Sequence, residues 1–436
     1  MSRPASNEIS QMLGLRTLFR RVGFIFLFTL ALRLLSYVVL LHLIPQTIEI
    51  PAFGYEAVQI AQSLAAGHGY SSPFPGTGPT AWLTPVYPTL LAADVAMLGP
   101  RNHATLVVAI LFNELCSALT VFPIFYAGRI FGGTQGPGHL GVIAAWIWAI
   151  YPLAMISAAS MVWYTTLSGL LGAILLWSTL KNVKSESTVA WAAYGLLWGV
   201  ELMTNPVFLV LLPPALLWLV WVRKGGAAKP LLFPAFAGLV AVLCCVPWTV
   251  RNFEVFHHFV PLRSNFGLEL WRYSHDGPPL HPFDNVAERT HLSVVGEPTY
   301  MREKQHEAIE WISAHPGEYA RRCFARAVTF WLGDPHPLNK FVHRGEWLSK
   351  AEFLADLVLD SLLLAGLVAT WRNLRRYFWL LLSVPVLYPL VYYMTLASDL
   401  QRAPVDPILA VTAAAAVFIY CRPIRRWLTP PLAPQH

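Results

Sequence analysis

The chain has 436 residues, of which 56% are hydrophobic and only 13% are charged. A soluble globular domain carries about 25% charged residues, so this composition excludes a soluble domain and a disordered chain, and it indicates a protein that crosses a membrane several times. The formal net charge of +7 would indicate nucleic-acid binding in a soluble protein, but in a membrane protein it first suggests basic cytoplasmic loops.

Apolar stretches recur along the chain. Because a helix needs about 20 apolar residues to cross a bilayer, they predict an all-α polytopic membrane protein with about ten transmembrane helices. The predicted spans cover residues 23–45, 103–128, 139–158, 161–181, 188–204, 206–222, 231–248, 353–370, 377–396 and 407–421. A shorter apolar stretch, 86–98, predicts a re-entrant or interfacial helix.

The charge distribution predicts the orientation of these spans. With both termini in the cytoplasm, the cytoplasmic segments carry sixteen Lys and Arg residues and two acidic residues. Since cytoplasmic loops are enriched in Lys and Arg, this orientation is the consistent one. We therefore expect a multi-pass protein of a bacterial inner membrane.

Two long segments lie on the outer side in this topology. The first long segment covers 46–102 and the second covers 249–352, which divides the chain into an N-terminal transmembrane module (1–248), an outer region (249–352) and C-terminal transmembrane helices (353–436). Long loops are usually functional. The first contains a predicted helix at Glu56–Ala66 and a tract rich in Pro and Gly. The second contains two amphipathic helices, near 299–314 and 317–332, and the aromatic residues Phe324, Phe330 and Trp331 suit a helix at the membrane interface.

Glu56 opens the predicted helix of the first long segment. A carboxylate with an ordinary pKa is ionised at neutral pH, so Glu56 is a candidate general base for a hydroxyl or an amine. A glutamate at a helix start is also explained by the helix dipole. Glu49 and Asp94 are further acidic residues of the same segment.

Three arginines are candidate phosphate ligands on the outer side, because guanidinium groups match the geometry of phosphate oxygens. They are Arg251, just after a span, Arg263, twelve residues later, and Arg402, in the last outer loop. The alternative for Arg251 and Arg263 is pairing with lipid headgroups or with nearby glutamates.

Other residues have simpler interpretations. Trp82 and Tyr87 are either sugar platforms or interfacial anchors. Nine histidines between 257 and 343 match no metal-binding spacing, and five cysteines form no CxxC pattern, so no metal and no cofactor are predicted, although a divalent cation stays open. Inside the spans, Arg33 is expected to pair with Glu114, and Glu201 is expected to reach water at the outer end of its helix.

Five motifs carry a resemblance to a known family. The first long segment contains EAVQIAxSLAxGHGY and GPTAWxTPVYP, the second contains PWTVRNF and RSNFGLELW, and RAPVDP precedes the last span. The chain resembles bacterial membrane glycosyltransferases of the GT-C class, family 39, which include protein O-mannosyltransferases and the aminoarabinose transferase of lipid A.

The resemblance implies transfer of one sugar, with inversion, from a polyprenyl-phosphate donor on the outer face of the membrane. It also implies an acidic residue in the first outer loop, as base or as acceptor-orienting group, and here that place falls to Glu56. Acceptors of such enzymes are lipids, glycans or proteins, and no nucleic acid is implied. The further candidates for substrate binding are Tyr55, directly before the first motif, and the motif residues Trp82, Tyr87 and Glu269.

Two other functions compete with this one. A secondary transporter or a flippase for lipid-linked saccharides predicts internal repeats and charges near the membrane midplane, whereas no repeat is evident and the candidate residues lie outside. A non-catalytic scaffold for envelope assembly would tolerate loss of Glu56 and of the three arginines.

Overall fold

A computed structural model describes residues 5–43, 55–100, 102–133, 138–224, 230–275, 277–333 and 346–421. Within these ranges the regular structure is helical, and extended backbone pairs only at an isolated bridge between Ser71 and Pro79. The predicted all-α membrane fold is confirmed.

The first part of the described chain contains both short helices that the sequence predicted, α2 and α3. In order, the helices are α1 Ala5–Leu43, α2 Tyr55–Ala65, α3 Val86–Leu98, α4 His103–Leu119, α5 Val121–Gly132, α6 His139–Ile150, α7 Pro152–Ser160, α8 Thr165–Asn182, α9 Thr188–Leu202, α10 Leu212–Arg223 and α11 Leu232–Phe256, with a 3₁₀ turn at Pro206–Val210.

The second part contains the two predicted amphipathic helices, α14 and α15. They are separated at His315-Pro316, because proline has no backbone N–H with which to continue α14. The helices are α12 Phe266–Arg272, α13 Val286–Val295, α14 Glu297–Ala314, α15 Pro316–Leu332, α16 Glu346–Asn373, α17 Arg375–Leu387, α18 Leu390–Met394, α19 Asp399–Arg402 and α20 Asp406–Tyr420.

Among the described residues, six helical stretches are long and apolar enough to cross a membrane. They are Arg21–Leu40, His103–Gly132, Pro206–Arg223, Leu232–Phe256, Phe353–Asn373 and Arg375–Met394. The pair α6 and α7, bent by 51°, makes a seventh if it is one broken span. The other three predicted spans are occupied by α8, α9 and α20, which do not meet both criteria, so the count of ten stays a prediction.

The bend between α6 and α7 is held by Arg33 of α1. Pro152 lacks the N–H that would bond the carbonyl of Trp148, and Arg33 Nη2 donates to that carbonyl at 2.9 Å, while Nη1 donates to the carbonyl of Ala149 at 3.0 Å. Among the described residues, neither carboxylate oxygen of Glu114 has a hydrogen-bond partner. The expected pairing of Arg33 with Glu114 is therefore an electrostatic interaction without a hydrogen bond, and the guanidinium of Arg33 gives its hydrogen bonds to carbonyls at the helix break.

Glu201 also departs from the expectation. It was expected to reach water, but its side chain is fully buried and accepts a hydrogen bond from the hydroxyl of Ser168. Asn205 donates to the same hydroxyl at 3.1 Å and to the hydroxyl of Tyr388 at 3.2 Å. Glu201 thus belongs to a buried polar network at the end of α9.

Two apolar cores organise the molecule. One fills the helix bundle, and the second joins α2, α3, α12, α13 and α14 with the ends of neighbouring bundle helices. The second core includes Trp82 and Tyr87 from the first long segment and Leu268, Tyr300 and Met301 from the second. The two long segments therefore pack as one layer against the bundle, which places the candidate residues of both near one another.

The aromatic residues of α15 divide between core and surface. Phe324 is 72% exposed, as expected of a helix at a membrane interface, whereas Phe330 is 1% exposed and stacks on Tyr392 with a centroid distance of 5.8 Å. Trp331 is part-buried, and its indole N–H donates to the hydroxyl of Tyr393 at 2.7 Å. Only Phe324, of the three, keeps the predicted exposed position.

Candidate active site

Glu56 lies in the first turn of α2, where this helix meets the second long segment. Its Oε1 is 3.7 Å from Nε2 of His281, and its side chain is 15% exposed. Arg263, Arg272 and Glu269 are close enough to interact with it electrostatically. The structure therefore surrounds the predicted base with charged side chains from the other long segment.

The surroundings of Glu56 alter its protonation. Burial raises the pKa of the Glu56 carboxyl, and Glu269 adds to this effect, while a backbone N–H, Arg263 and Arg272 partly offset it. Burial, with a smaller contribution from the positive charge of Arg272, lowers the pKa of His281 well below its usual range. The imidazole is thus neutral at physiological pH, and a carboxyl with a raised pKa is suited to accepting a proton.

Aromatic rings form the wall beside Glu56. Tyr55 packs edge-on against Phe283, with ring centroids 4.0 Å apart, and Phe74 packs against Trp82 at 4.8 Å. His281 contacts both Phe74 and Trp82, at 5.2 and 5.6 Å. This packing fixes the imidazole and leaves Tyr55, which is partly exposed, at the surface of the wall.

Of the predicted sugar-binding aromatic residues, two are core residues in this structure. Trp82 and Tyr87 are each 1% exposed, and the hydroxyl of Tyr87 donates to Asn113 at 3.3 Å. A sugar needs an exposed ring face, so neither ring is available for stacking in this arrangement. Tyr55 and Glu269, the other two predicted contacts, both lie partly exposed beside Glu56.

Arg263 joins the wall to the bundle. Its Nε donates to the carbonyl of Trp82 at 2.6 Å, and its Nη1 donates to the hydroxyl of Tyr164 at 3.2 Å. Because its charge also acts on Glu56, Arg263 is the predicted phosphate ligand that the structure places at the site.

Arg251 acts as a brace for the first long segment. Its Nη1 donates to the carbonyl of Thr80 and its Nη2 to the carbonyl of Tyr70, both at 2.7 Å. Its guanidinium also lies over the ring of Trp248, 5.2 Å from the centroid. A third bond runs from Nη1 to Oδ1 of Asn252 at 3.0 Å, so the protein itself engages three of the five N–H donors.

Arg402 lies away from Glu56, in a cluster of aspartates between α16 and α20. Its guanidinium is fully buried and lies 3.7 Å from Asp356, 3.0 Å from Asp360 and 2.8 Å from Asp406. Its Nη1 also donates to the carbonyl of Trp331 at 2.7 Å. The structure thus gives Arg402 three carboxylate partners and does not bring it to Glu56.

Glu297 supports the site, although it was not among the residues that the sequence indicated. It opens α14 and is 3% exposed, and its carboxylate accepts hydrogen bonds from Thr80 Oγ1 at 2.5 Å, from the N–H of Ala81 at 2.7 Å and from Ser264 Oγ at 2.6 Å. The N–H of Ser264 returns a bond to the carbonyl of Ala81 at 3.0 Å. These bonds lock residues 80–82 to the second long segment.

Two further residues at the site were not singled out from the sequence. His281 was one of many loop histidines, and Arg272 directly follows the ELW part of a motif that already contained Glu269. Arg272 was detectable as the next cation of that motif, on the same short helix. Among the described residues no group of three or more His, Cys, Asp or Glu side chains is arranged to hold a metal ion.

Comparisons with known proteins bear on the fold. A family profile described as dolichyl-phosphate-mannose-protein mannosyltransferase matches residues 84–250. No curated protein matches by sequence. Solved structures, however, match over nearly the whole chain.

Two of these structures are of an oligosaccharyltransferase from Archaeoglobus fulgidus. AglB in complex with an inhibitory peptide and a dolichol-phosphate matches with a TM-score of 0.56 and 15% identity, covering 96% of this chain and 52% of that one. The apo form matches with a TM-score of 0.55 and 15% identity, covering 94% and 51%. The chain therefore spans about half the length of these proteins.

A third structure is ArnT from Cupriavidus metallidurans bound to undecaprenyl phosphate. It is 15% identical, covers 91% of this chain and 78% of that one, and has a TM-score of 0.39, which is too low to support an argument about this chain. The predicted resemblance to membrane glycosyltransferases of the GT-C class is confirmed by the profile match over residues 84–250 and by the helical fold shared with the archaeal oligosaccharyltransferase.

Proposed function

We propose that the chain is a glycosyltransferase that moves a single sugar from a polyprenyl-phosphate donor to an acceptor at the outer face of a bacterial inner membrane. The observation that carries this proposal is the position of Glu56. Its carboxylate is largely buried, has a raised pKa and lies beside Arg263 and Arg272 where the two long segments meet. The solved relative with dolichol-phosphate supports a lipid phosphate as the donor class.

In the proposed reaction the acceptor hydroxyl oxygen attacks the anomeric carbon of the sugar as the bond from that carbon to the phosphate oxygen breaks. The configuration inverts, the phosphate leaves with the bonding electrons, and Glu56 takes the proton of the hydroxyl. A lipid phosphate is a good leaving group, so the protein needs a cation for the developing charge and a base for the acceptor.

Arg263 is the cation in this proposal, because its charge acts on the Glu56 region and it lies at the aromatic wall. Arg251 and Arg402 are assigned supporting roles, since carbonyls, carboxylates and the amide oxygen of Asn252 hold most of their donors. Tyr55 and Glu269 are the proposed substrate contacts, because both are partly exposed beside Glu56.

The test compares the wild-type chain with Glu56→Gln in lipid nanodiscs, supplied with a panel of polyprenyl-phosphate monosaccharides and a bacterial envelope extract as acceptor. Released polyprenyl phosphate is measured by mass spectrometry, so the sugar need not be known. Loss of a general base is expected to slow release by about 10²- to 10⁴-fold. The matched control is Glu254→Gln, an exposed outer carboxylate, for which release stays at the wild-type rate.

Two results would contradict the proposal in different ways. Near-normal release by Glu56→Gln would remove Glu56 as the base. Absence of release by the wild type with every donor, together with movement of a lipid-linked saccharide across the membrane of sealed vesicles, would favour a flippase instead.

A further inference from the structure

Arg272 differs from the other arginines around the site in how its donors are used. Its Nε is buried and has no hydrogen-bond partner among the described residues. The single hydrogen bond recorded for it runs from Nη1 to Glu269 at 3.4 Å, which is longer than the 2.7–3.2 Å of a normal N–H···O bond. A buried donor without a partner costs free energy, so its presence calls for an explanation.

The position of Arg272 explains why one of its donors is left without a partner. It ends α12, its side chain is 17% exposed, and its charge acts on both Glu56 and His281. Glu269, one turn earlier on the same helix, holds one edge of the guanidinium, and the ring of Tyr273 lies 5.2 Å from its centre. The guanidinium is therefore held at the site with a donor edge left over.

The comparison with neighbouring arginines supports the same interpretation. Arg251 donates from Nη1 and Nη2 to carbonyls at 2.7 Å, and Arg263 donates from Nε to a carbonyl at 2.6 Å. In Arg272 neither Nε nor Nη2 has a hydrogen bond to a described residue, and these two parallel donors match an oxyanion in a bidentate manner.

We propose that Arg272, positioned by Glu269, binds an oxyanion of a substrate beside Glu56. Naming the oxyanion as part of a substrate rests on the proposed function. The binding of the anion can be measured without catalysis. The shared chemistry is a phosphate or carboxylate group, which belongs either to the lipid phosphate of the donor or to an acidic acceptor. Glu269 is then a positioning residue, because it contacts the guanidinium rather than the anion.

The experiment measures binding to the full chain in nanodiscs by isothermal titration calorimetry. The probes are farnesyl phosphate, farnesol as its uncharged counterpart, and inorganic phosphate. The variants are Arg272→Gln and Arg272→Lys, with Arg302→Gln as the control, since Arg302 is exposed on α14 and makes only 3.5 Å contacts.

Loss of a charged hydrogen-bond donor is expected to weaken oxyanion binding by about 10- to 100-fold in Arg272→Gln, with a smaller loss in Arg272→Lys and none in Arg302→Gln. Weaker binding of farnesyl phosphate assigns the oxyanion to the donor. Weaker binding of inorganic phosphate alone assigns it to the acceptor. The proposal is overturned if Arg272→Gln binds farnesyl phosphate and inorganic phosphate as strongly as the wild type does. It is also overturned if the wild type binds neither of these two anions.

These outcomes are separable from those for the proposed function. If the wild type binds farnesyl phosphate through Arg272 but releases no polyprenyl phosphate from any donor, the oxyanion site is supported and the transferase proposal is refuted. If the wild type transfers sugar but Arg272→Gln binds farnesyl phosphate and inorganic phosphate normally, the transferase proposal is supported and the oxyanion site is refuted.

Discussion

Replacing Glu297 with alanine tests how the site is held together. The carboxylate of Glu297 is almost fully buried and accepts hydrogen bonds from Thr80, Ala81 and Ser264. The alanine variant removes all three bonds and leaves the N–H of Ala81 facing a gap. We expect the first long segment to detach locally from the second at residues 80–82.

The magnitude follows from the number and kind of these bonds. A hydrogen bond to a charged group contributes about 1.5–3 kcal/mol, and a buried donor left without a partner costs a similar amount. The three losses are not additive, because the hydroxyls of Thr80 and Ser264 can rotate to other acceptors. We expect Glu297→Ala to lower the free energy of local opening by about 3–5 kcal/mol. Glu297→Gln keeps one acceptor oxygen, so its effect is expected to be about 1–2 kcal/mol.

Limited proteolysis measures this opening directly. When reclosing is faster than cleavage, the cleavage rate follows the population of the open form, and 3 kcal/mol corresponds to about a hundredfold change in that population. Cleavage within residues 66–84, mapped by mass spectrometry, should accelerate in the order wild type, Glu297→Gln, Glu297→Ala. The control is Glu303→Ala on the same helix, where the exposed carboxylate pairs with exposed His291. Equal cleavage of Glu297→Ala and the wild type would refute the clamp.

Two further measurements test the electrostatics and the packing. Because burial raises the pKa of Glu56 and a base works when ionised, sugar transfer should fall as the pH drops through a midpoint above the ordinary glutamate pKa of about 4.3; a midpoint at or below that value would contradict the assignment. A Cβ on Gly366 would lie 2.1 Å from the carbonyl oxygen of Thr412, so Gly366→Ala should force α16 from α20 and lower the midpoint of thermal unfolding, at a cost of about 1–3 kcal/mol. Gly317→Ala, with no atom within 4 Å, should leave that midpoint unchanged.

The sequence predicted the helices well because their signals are local. The stretch 86–98 was expected as a short helix and is α3, and the predicted helix 317–332 is α15 within one residue. The number of spans is a different kind of question. It depends on whether the break at Tyr151-Pro152 is a bend within one membrane crossing, and hydropathy carries no information about a bend of 51° or about the side chain of Arg33 that holds it.

The candidate site was harder to predict because tertiary contacts decide which side chains are available. Residue type alone made Trp82 a reasonable sugar platform, but an apolar ring is equally suited to the core, and the packing of Phe74 and His281 buries it. Glu297 carried no sequence signal beyond its position after Gly296 at a helix start. Its function as an acceptor depends on Thr80 and Ser264, which lie 217 and 33 residues away in the sequence.

The candidate arginines show the same limit of the sequence in terms of charge. A guanidinium has five N–H donors, and what it can bind is set by how many the fold leaves unused. Arg402 gives its donors to three aspartates and a carbonyl, and Arg251 gives two donors to carbonyls and one to the amide oxygen of Asn252. Arg272 keeps a buried Nε that has no partner in the part of the chain that the structure describes. A cation with unused donors and a cation already neutralised by the protein have identical sequence signatures, so the sequence could nominate arginines as ligands but could not rank them.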